Sequence, residues 1–257
     1  MPSDDRALEA LPVVSPDSLP NTLADGQTLL VACPGRPAEF AFGLQALSHV
    51  VEADDTAVIV TTAESASRAI ETYDYFAAHA ADATDAADAA DATDASDSAD
   101  AADAADATDA SDSADAHDAN LEVVDTASEV QSLDAVYDEV PTIFTPAPGD
   151  LERLAVALSD LTDHPIAADT DRHLVVRSLT PILESTPTER VRAVLERLVG
   201  MRTNGGVCLL GIDYTAHDQA TVDEIAALAD GVLWLSQPTP GTVDVEYGQP
   251  VDRHRTR

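Results

Sequence analysis

His217 and Asp218 set an imidazole beside a carboxylate, the two groups of a general base and its orienter. Adjacent side chains seldom face each other, and no nucleophile accompanies the pair. Its first reading is therefore a loop that caps the helix expected to follow. Glu64 stands where the apolar run DTAVIVTT gives way to a helical stretch. A carboxylate there can act as a base, but it also complements the positive end of the helix dipole, and that reading is favoured. Arg177 closes the apolar run HLVV, so it places a cation at the carboxyl end of a predicted strand. His79, His117, His164 and His173 have no ligand spacing, and no metal site is expected. Cys33 and Cys208 both sit inside apolar runs, which predicts buried thiols and neither a disulfide framework nor a metal motif.

The remaining cations are few. The chain carries 48 acidic and 13 basic residues, a formal charge of −35, and every basic residue is arginine. Acidity on this scale, with no lysine and few aromatics, is what solution in multimolar salt favours. Carboxylates hold hydrated cations, and concentrated salt screens their mutual repulsion. The same charge argues against nucleic acid and anionic membrane as partners. Arg190, Arg192, Arg197 and Arg202 share a predicted helix with Glu189 and Glu196. They read as a solvated face with local ion pairs, or as a surface that docks a partner. The C-terminal DRHRTR, 252–257, is the only basic cluster, and a frayed tail is its simplest reading. Residues 1–10 lack a basic start followed by an apolar stretch, and no apolar run approaches 18 residues. A cytoplasmic chain is expected.

The elements that must position these residues alternate. Predicted strands cover 26–32, 55–62, 121–125, 141–147, 173–179, 206–213, 231–236 and 242–248. Predicted helices cover about 39–51, 64–80, 150–161, 187–203 and 221–229, with Asp150 as an N-cap and Pro187 at a first helical position. Continuous apolar strands separated by helices predict a mostly parallel sheet covered on both faces, and the PTPG turn before the last strand predicts an antiparallel edge. Aspartate recurs at every third position from Asp82 to Asp118, and the fifteen residues from Asp85 repeat without change from Asp100. With no apolar face, this segment is expected to be a disordered, solvated insertion in a surface loop. A polyanionic tether is the functional alternative.

The order of these pieces resembles the RecA superfamily of P-loop ATPases. A strand, a Pro-Gly turn and a helix look like its phosphate-binding unit. The run HLVVRSLTPIL, with VRAVLERLVGMRTNGGVCLLGIDYTAHDQATVDEIAALADGVLWL after it, is similar to the second half of the KaiC/RadA-like branch. On these residues the chain is identified as a member of a haloarchaeal KaiC-like group. The resemblance implies a RecA-like three-layer α/β sandwich, with a mostly parallel central sheet and an antiparallel C-terminal edge. It covers about 19–248, interrupted by the insertion 81–119 and flanked by tails 1–18 and 249–257.

That kinship also implies a nucleotide site, and the residues present depart from it. A phosphate loop needs glycines whose N–H groups cradle phosphate, a lysine on the terminal phosphates and a hydroxyl on Mg²⁺. In the matching stretch, Ala32–Phe40, only Gly35 fits. Pro37 removes a donor, Ala38 takes the place of the lysine and Glu39 that of the hydroxyl, while Arg36 is the only substitute cation. Arg177 falls where the family's strand ends in the aspartate that holds Mg²⁺ through water. VTTAES resembles the strand end that carries catalytic glutamates, with Ala63 and Glu64 at those places. His217 and Asp218 match a polar loop facing the cleft. An ion pair among Arg36, Arg177, Glu39 and Glu64 could fill the emptied site. No ATP or magnesium is expected. The function expected is a non-catalytic, regulatory or protein-interaction domain, a pseudo-ATPase with an unidentified protein partner. The alternatives are a divergent ATPase using Arg36 and Glu64, or a recombination accessory that binds single-stranded DNA beside an active relative. Such relatives usually assemble, so a homo-oligomer is also open.

Overall fold

Eight short strands rich in Val, Ile and Leu assemble one sheet because both faces of each central strand find helices to bury against. In this computed structural model residues 23, 26–35, 41–94, 120–128, 140–163, 170–203, 205–237 and 243–249 are described, with 81–94 as backbone only. The strands are β1 Thr28–Cys33, β2 Thr56–Thr61, β3 Asn120–Asp125, β4 Thr142–Phe144, β5 Arg172–Val176, β6 Cys208–Asp213, β7 Gly231–Ser236 and β8 Asp244–Gly248. Their order across the sheet is β4-β3-β2-β5-β6-β1-β7-β8. All pairings are parallel except β7 with β8. The expected three-layer fold, mostly parallel with an antiparallel C-terminal edge, is the one adopted.

Side-chain alternation divides the core in two. Leu29, Val31, Ala57 and Ile59 point to one face, where helices α1 Phe42–Val50 and α2 Ala66–Asp94 pack. Leu30, Ala32, Val58 and Val60 point to the other. That second face is covered by α3 Leu151–Thr162, α4 Thr180–Ser185, α5 Thr188–Val199 and α6 Gln219–Ala226. Among the described residues no helix is long and apolar enough to cross a membrane.

The amino edge of the sheet is closed by a buried polar knot. Asp55 accepts the N–H groups of Asp171 at 2.7 Å and Glu52 at 2.9 Å, and its carboxylate meets His173 Nε2 at 3.2 Å. Because Val207 N–H donates to His173 Nδ1 at 3.1 Å, the ring proton sits on Nε2 and faces Asp55. Burial opposes the charge of Asp55, but the two N–H groups and His173 outweigh it and hold the carboxyl below its ordinary range. Gly206 passes the same edge so closely that a Cβ would lie 1.9 Å from the Arg172 carbonyl oxygen.

Several boundaries differ from expectation. Helix α2 continues to Asp94, well into the aspartate-rich segment expected to be disordered, because alanine between the aspartates has the highest helix propensity. Residues 95–119 lie outside the described residues. Strand β5 ends at Val176, not Leu179, and the short α4 follows it. Helix α5 stops at Val199 with Gly200 as its C-cap, so Arg202 lies beyond the helix, where it donates to the carbonyls of Thr203 and Gly206. Pro187 is the N-cap of α5 instead of its first residue. The PTPG turn, residues 1–18 and the basic C-terminal cluster fall outside the described residues.

Candidate functional site

The parallel strands deliver polar groups to a common carboxyl edge, and the topology decides which of them meet. Strand β5 lies beside β2, so the residue after Val176 emerges next to the turn after Thr61. Arg177 N–H donates to the Val60 carbonyl at 2.9 Å, and the Thr62 hydroxyl donates to the Ser178 carbonyl at 2.6 Å. These two bonds hold the edges together. Across them Arg177 Nε donates to Glu64 Oε1 at 2.5 Å. The arginine side chain is 3% exposed and the glutamate 15%, so the pair is nearly shut off from water. Of the two fates open to Arg177, pairing within the edge or reaching for solvent, the structure has the first.

Among the described residues, the packing beside Arg177 is close. Gly43, in the first turn of α1, packs so that a Cβ would lie 3.2 Å from Val175 Cγ1. The crevice lined by Phe42, Gly43, Val175, Val176 and Arg177 has a volume of about 10 Å³. That is near the minimum for one water molecule. Ala41, just before α1, has a left-handed φ of 48°, a strained conformation for a residue with a Cβ.

Two aspartates that sequence reasoning did not nominate dominate the rest of the edge. Asp125, at the end of β3, is fully buried. One of its oxygens accepts Ala66 N–H, the start of α2, at 2.8 Å. The other accepts the N–H groups of Ala127 at 2.8 Å and Ser128 at 2.9 Å. A carboxylate with three backbone donors at a helix N-terminus satisfies groups that would otherwise be orphaned. The available signal was an acid at the end of an apolar strand, in LEVVD.

Asp213, at the end of β6, ties down the turn after β1. Its Oδ1 accepts Gly35 N–H at 3.0 Å, Thr215 N–H at 2.9 Å and the Thr215 hydroxyl at 2.6 Å. Burial works against its charge, but the Thr215 hydroxyl and the N–H groups of Gly35, Thr215 and Ala216 prevail and lower its pKa. Gly35 has φ +92°, which suits only glycine without strain. Here the N–H of Gly35, the glycine expected in the turn after the first strand, points at a carboxylate of the chain itself. Asp213 N–H in turn donates to Thr180 Oγ1 at 3.1 Å, and that oxygen lies 3.2 Å from His217 Nε2.

His217 and Asp218 part company. Asp218 caps α6 by accepting Thr221 N–H at 2.8 Å, and these bonds from Thr221 lower its pKa. The pair is thus a loop cap plus a threonine-linked histidine, as the adjacency argument expected. Arg36, Ala38 and Glu39 lie outside the described residues, as do His117 and His164. His79 contacts the Tyr75 carbonyl and His173 the knot at the opposite edge. Among the described residues no three His, Cys, Asp or Glu side chains gather as a metal site would require. Both cysteines are buried, and burial pushes the Cys208 thiol up to about 12.

Fold and site together define a three-layer α/β domain whose carboxyl-edge anions are bonded to its own backbone and to its own arginine. The chain belongs to the family of unknown function DUF7504, whose model matches residues 100–235. No curated protein matches it in sequence. Among solved structures it is similar to a prototypical ATPase from the type III secretion system of pathogenic bacteria, at 9% identity and a TM-score of 0.39. That match covers 90% of this chain and 60% of the other, so the chain spans under two thirds of that ATPase's length.

Proposed function

We propose that this chain is a RecA/KaiC-like pseudo-ATPase, a non-catalytic domain that works by presenting surfaces to a protein partner. The observation that carries the reading is the buried Arg177–Glu64 pair. In a working site of this kind the strand end after Val176 supplies a carboxylate for Mg²⁺, and the Glu64 position supplies a free base. Here the first is a cation, and the second is neutralised by it. A cation beside the metal position repels Mg²⁺, which seeks carboxylate and phosphate oxygens. Asp213 is held by the Gly35 turn and Asp125 by the start of α2, so neither carboxylate replaces the missing one. These described residues do not fit a magnesium triphosphate.

The test is thermal unfolding of the full chain in multimolar KCl with and without millimolar MgATP. A ligand at a hundred times its Kd stabilises by about 2.7 kcal/mol, which for a domain of this size raises Tm by roughly 5–10 °C. No change is expected. A rise of several degrees would refute the proposal and favour the divergent ATPase.

A further inference from the structure

Strand β8 ends the sheet, and among the described residues only β7 pairs with it. An outer edge of this kind offers its backbone N–H and C=O groups to a further extended segment. Side chains alternate along β8. Val245 packs against the first-face core, while Asp244 and Glu246 share the opposite face and are exposed. Tyr247 lies over Gly231, where a Cβ would come within 2.5 Å of its ring. The strand is thus fixed on its inner side, and it carries two exposed carboxylates, two residues apart, beside its outer edge.

Charge and spacing select the occupant. In a chain of −35 the only basic cluster is DRHRTR, 252–257, just beyond Gln249. Arg253, Arg255 and Arg257 alternate with His254 and Thr256, the period of a strand with one cationic face. Local chemistry sets the register. A two-residue hairpin loop needs positive φ at its first position, which Gln249 disfavours and Pro250 forbids. A three-residue loop from Gln249 needs a left-handed third residue, and that is the β-branched Val251. The next length, Gln249 to Asp252, suits Pro250 as the second residue of a type I turn. It sets Arg255 opposite Glu246 and Arg257 opposite Asp244, each pair on one face, where opposite charges attract. A slip of one residue would turn every arginine to the face of Val245 and Tyr247. The β8 strand of a second copy would bring carboxylate against carboxylate instead. We propose that the outer edge of β8 is a docking site for an extended, arginine-bearing segment, and that its occupant is 253–257 of the same chain, paired antiparallel. Docked there, the segment shields the edge from strand addition by other chains. This inference does not rest on the cleft being closed to nucleotide.

Two measurements on the full chain in molar KCl test it. Glu246→Cys/Arg255→Cys should oxidise to a disulfide within one chain, whereas Glu246→Cys/His254→Cys, with its thiols on opposite faces, should not. Cys33 and Cys208 are buried and do not compete. Backbone amides of 253–257 should exchange with solvent roughly tenfold more slowly than in the free peptide DRHRTR. That protection should fall about threefold in Glu246→Arg and recover in Glu246→Arg/Arg255→Glu. Exchange as fast as in the free peptide, or equal oxidation of the two cysteine pairs, would overturn the inference. Disulfides formed only between chains would overturn it too, by making a second copy the source of the segment.

Discussion

Removing the Glu64 carboxylate should cost far more than losing a surface salt bridge. In Glu64→Ala the Arg177 guanidinium stays in place, 3% exposed, without its carboxylate. Breaking a fully buried pair by deleting one partner costs about 3–5 kcal/mol, because the remaining charge loses its nearest counter-charge where little water can replace it. Glu64 is 15% exposed, so water can enter part of the vacated space, and a value of about 2–3 kcal/mol is expected. For a domain of this length that lowers Tm by roughly 5–10 °C. The double variant Glu64→Ala/Arg177→Met should regain most of the loss, since apolar replacement of a buried pair is close to neutral. Urea unfolding of the wild type, both singles and the double, in constant molar KCl, gives the coupling energy directly. A single Glu64→Ala variant within about 0.5 kcal/mol of wild type would show that solvent already screens the pair. A double variant no better than Glu64→Ala would show that the loss comes from packing and not from stranded charge.

Other perturbations follow from the same geometry. Asp125→Asn replaces an anion that accepts three N–H groups by an amide that must turn its own donors toward them, and should destabilise by about 2–3 kcal/mol in chemical denaturation. The pKa of Asp55 is lower folded than unfolded, so its contribution is complete above the ordinary value of 3.8 and is lost as pH falls through the lower, folded value. Asp55→Asn should therefore be less stable at neutral pH and show a flatter loss of stability below about pH 4, read from urea midpoints against pH. Gly206→Ala would set its Cβ 1.9 Å from the Arg172 carbonyl oxygen, so the backbone must shift, and it should cost more than about 2 kcal/mol. Gly35→Ala meets no described residue within 4 Å of its Cβ and should cost what its φ of +92° imposes, about 1–2 kcal/mol. The difference between the two glycine variants is measurable by thermal melting.

The strands were legible because apolar content and β-branching mark them locally: Gly231–Ser236 is found as expected, and Thr56–Thr61 lies within the expected run. The antiparallel edge was legible from its turn residues. What local pattern could not reveal was where the chain turns for a tertiary reason. HLVVRSL reads as one extended run, yet β5 stops at Val176, where Arg177 pairs with Glu64, 113 residues away in sequence. The chain then enters α4, a six-residue helix with Pro181 in its first turn, too short to leave a periodic signature. The carboxyl-edge residues split the same way. Arg177 and Glu64 could be placed near each other by strand order, and Asp218 could be read as a cap. Asp125 and Asp213 could not be singled out, because their donors come from the starts of other elements: Ala66 for one, Gly35 for the other. An acid at a strand end is common, and only the fold shows which N–H groups it will meet.

The proposed function requires that the internal ion pair at the carboxyl edge keep a triphosphate and its metal out. A crystal structure grown with a nonhydrolysable ATP analogue and magnesium examines it most directly. Arg177 still on Glu64, Gly35 N–H still on Asp213 and no analogue at the turn are expected. Phosphates cradled at Gly35, with Arg177 swung from Glu64 onto them, would contradict it.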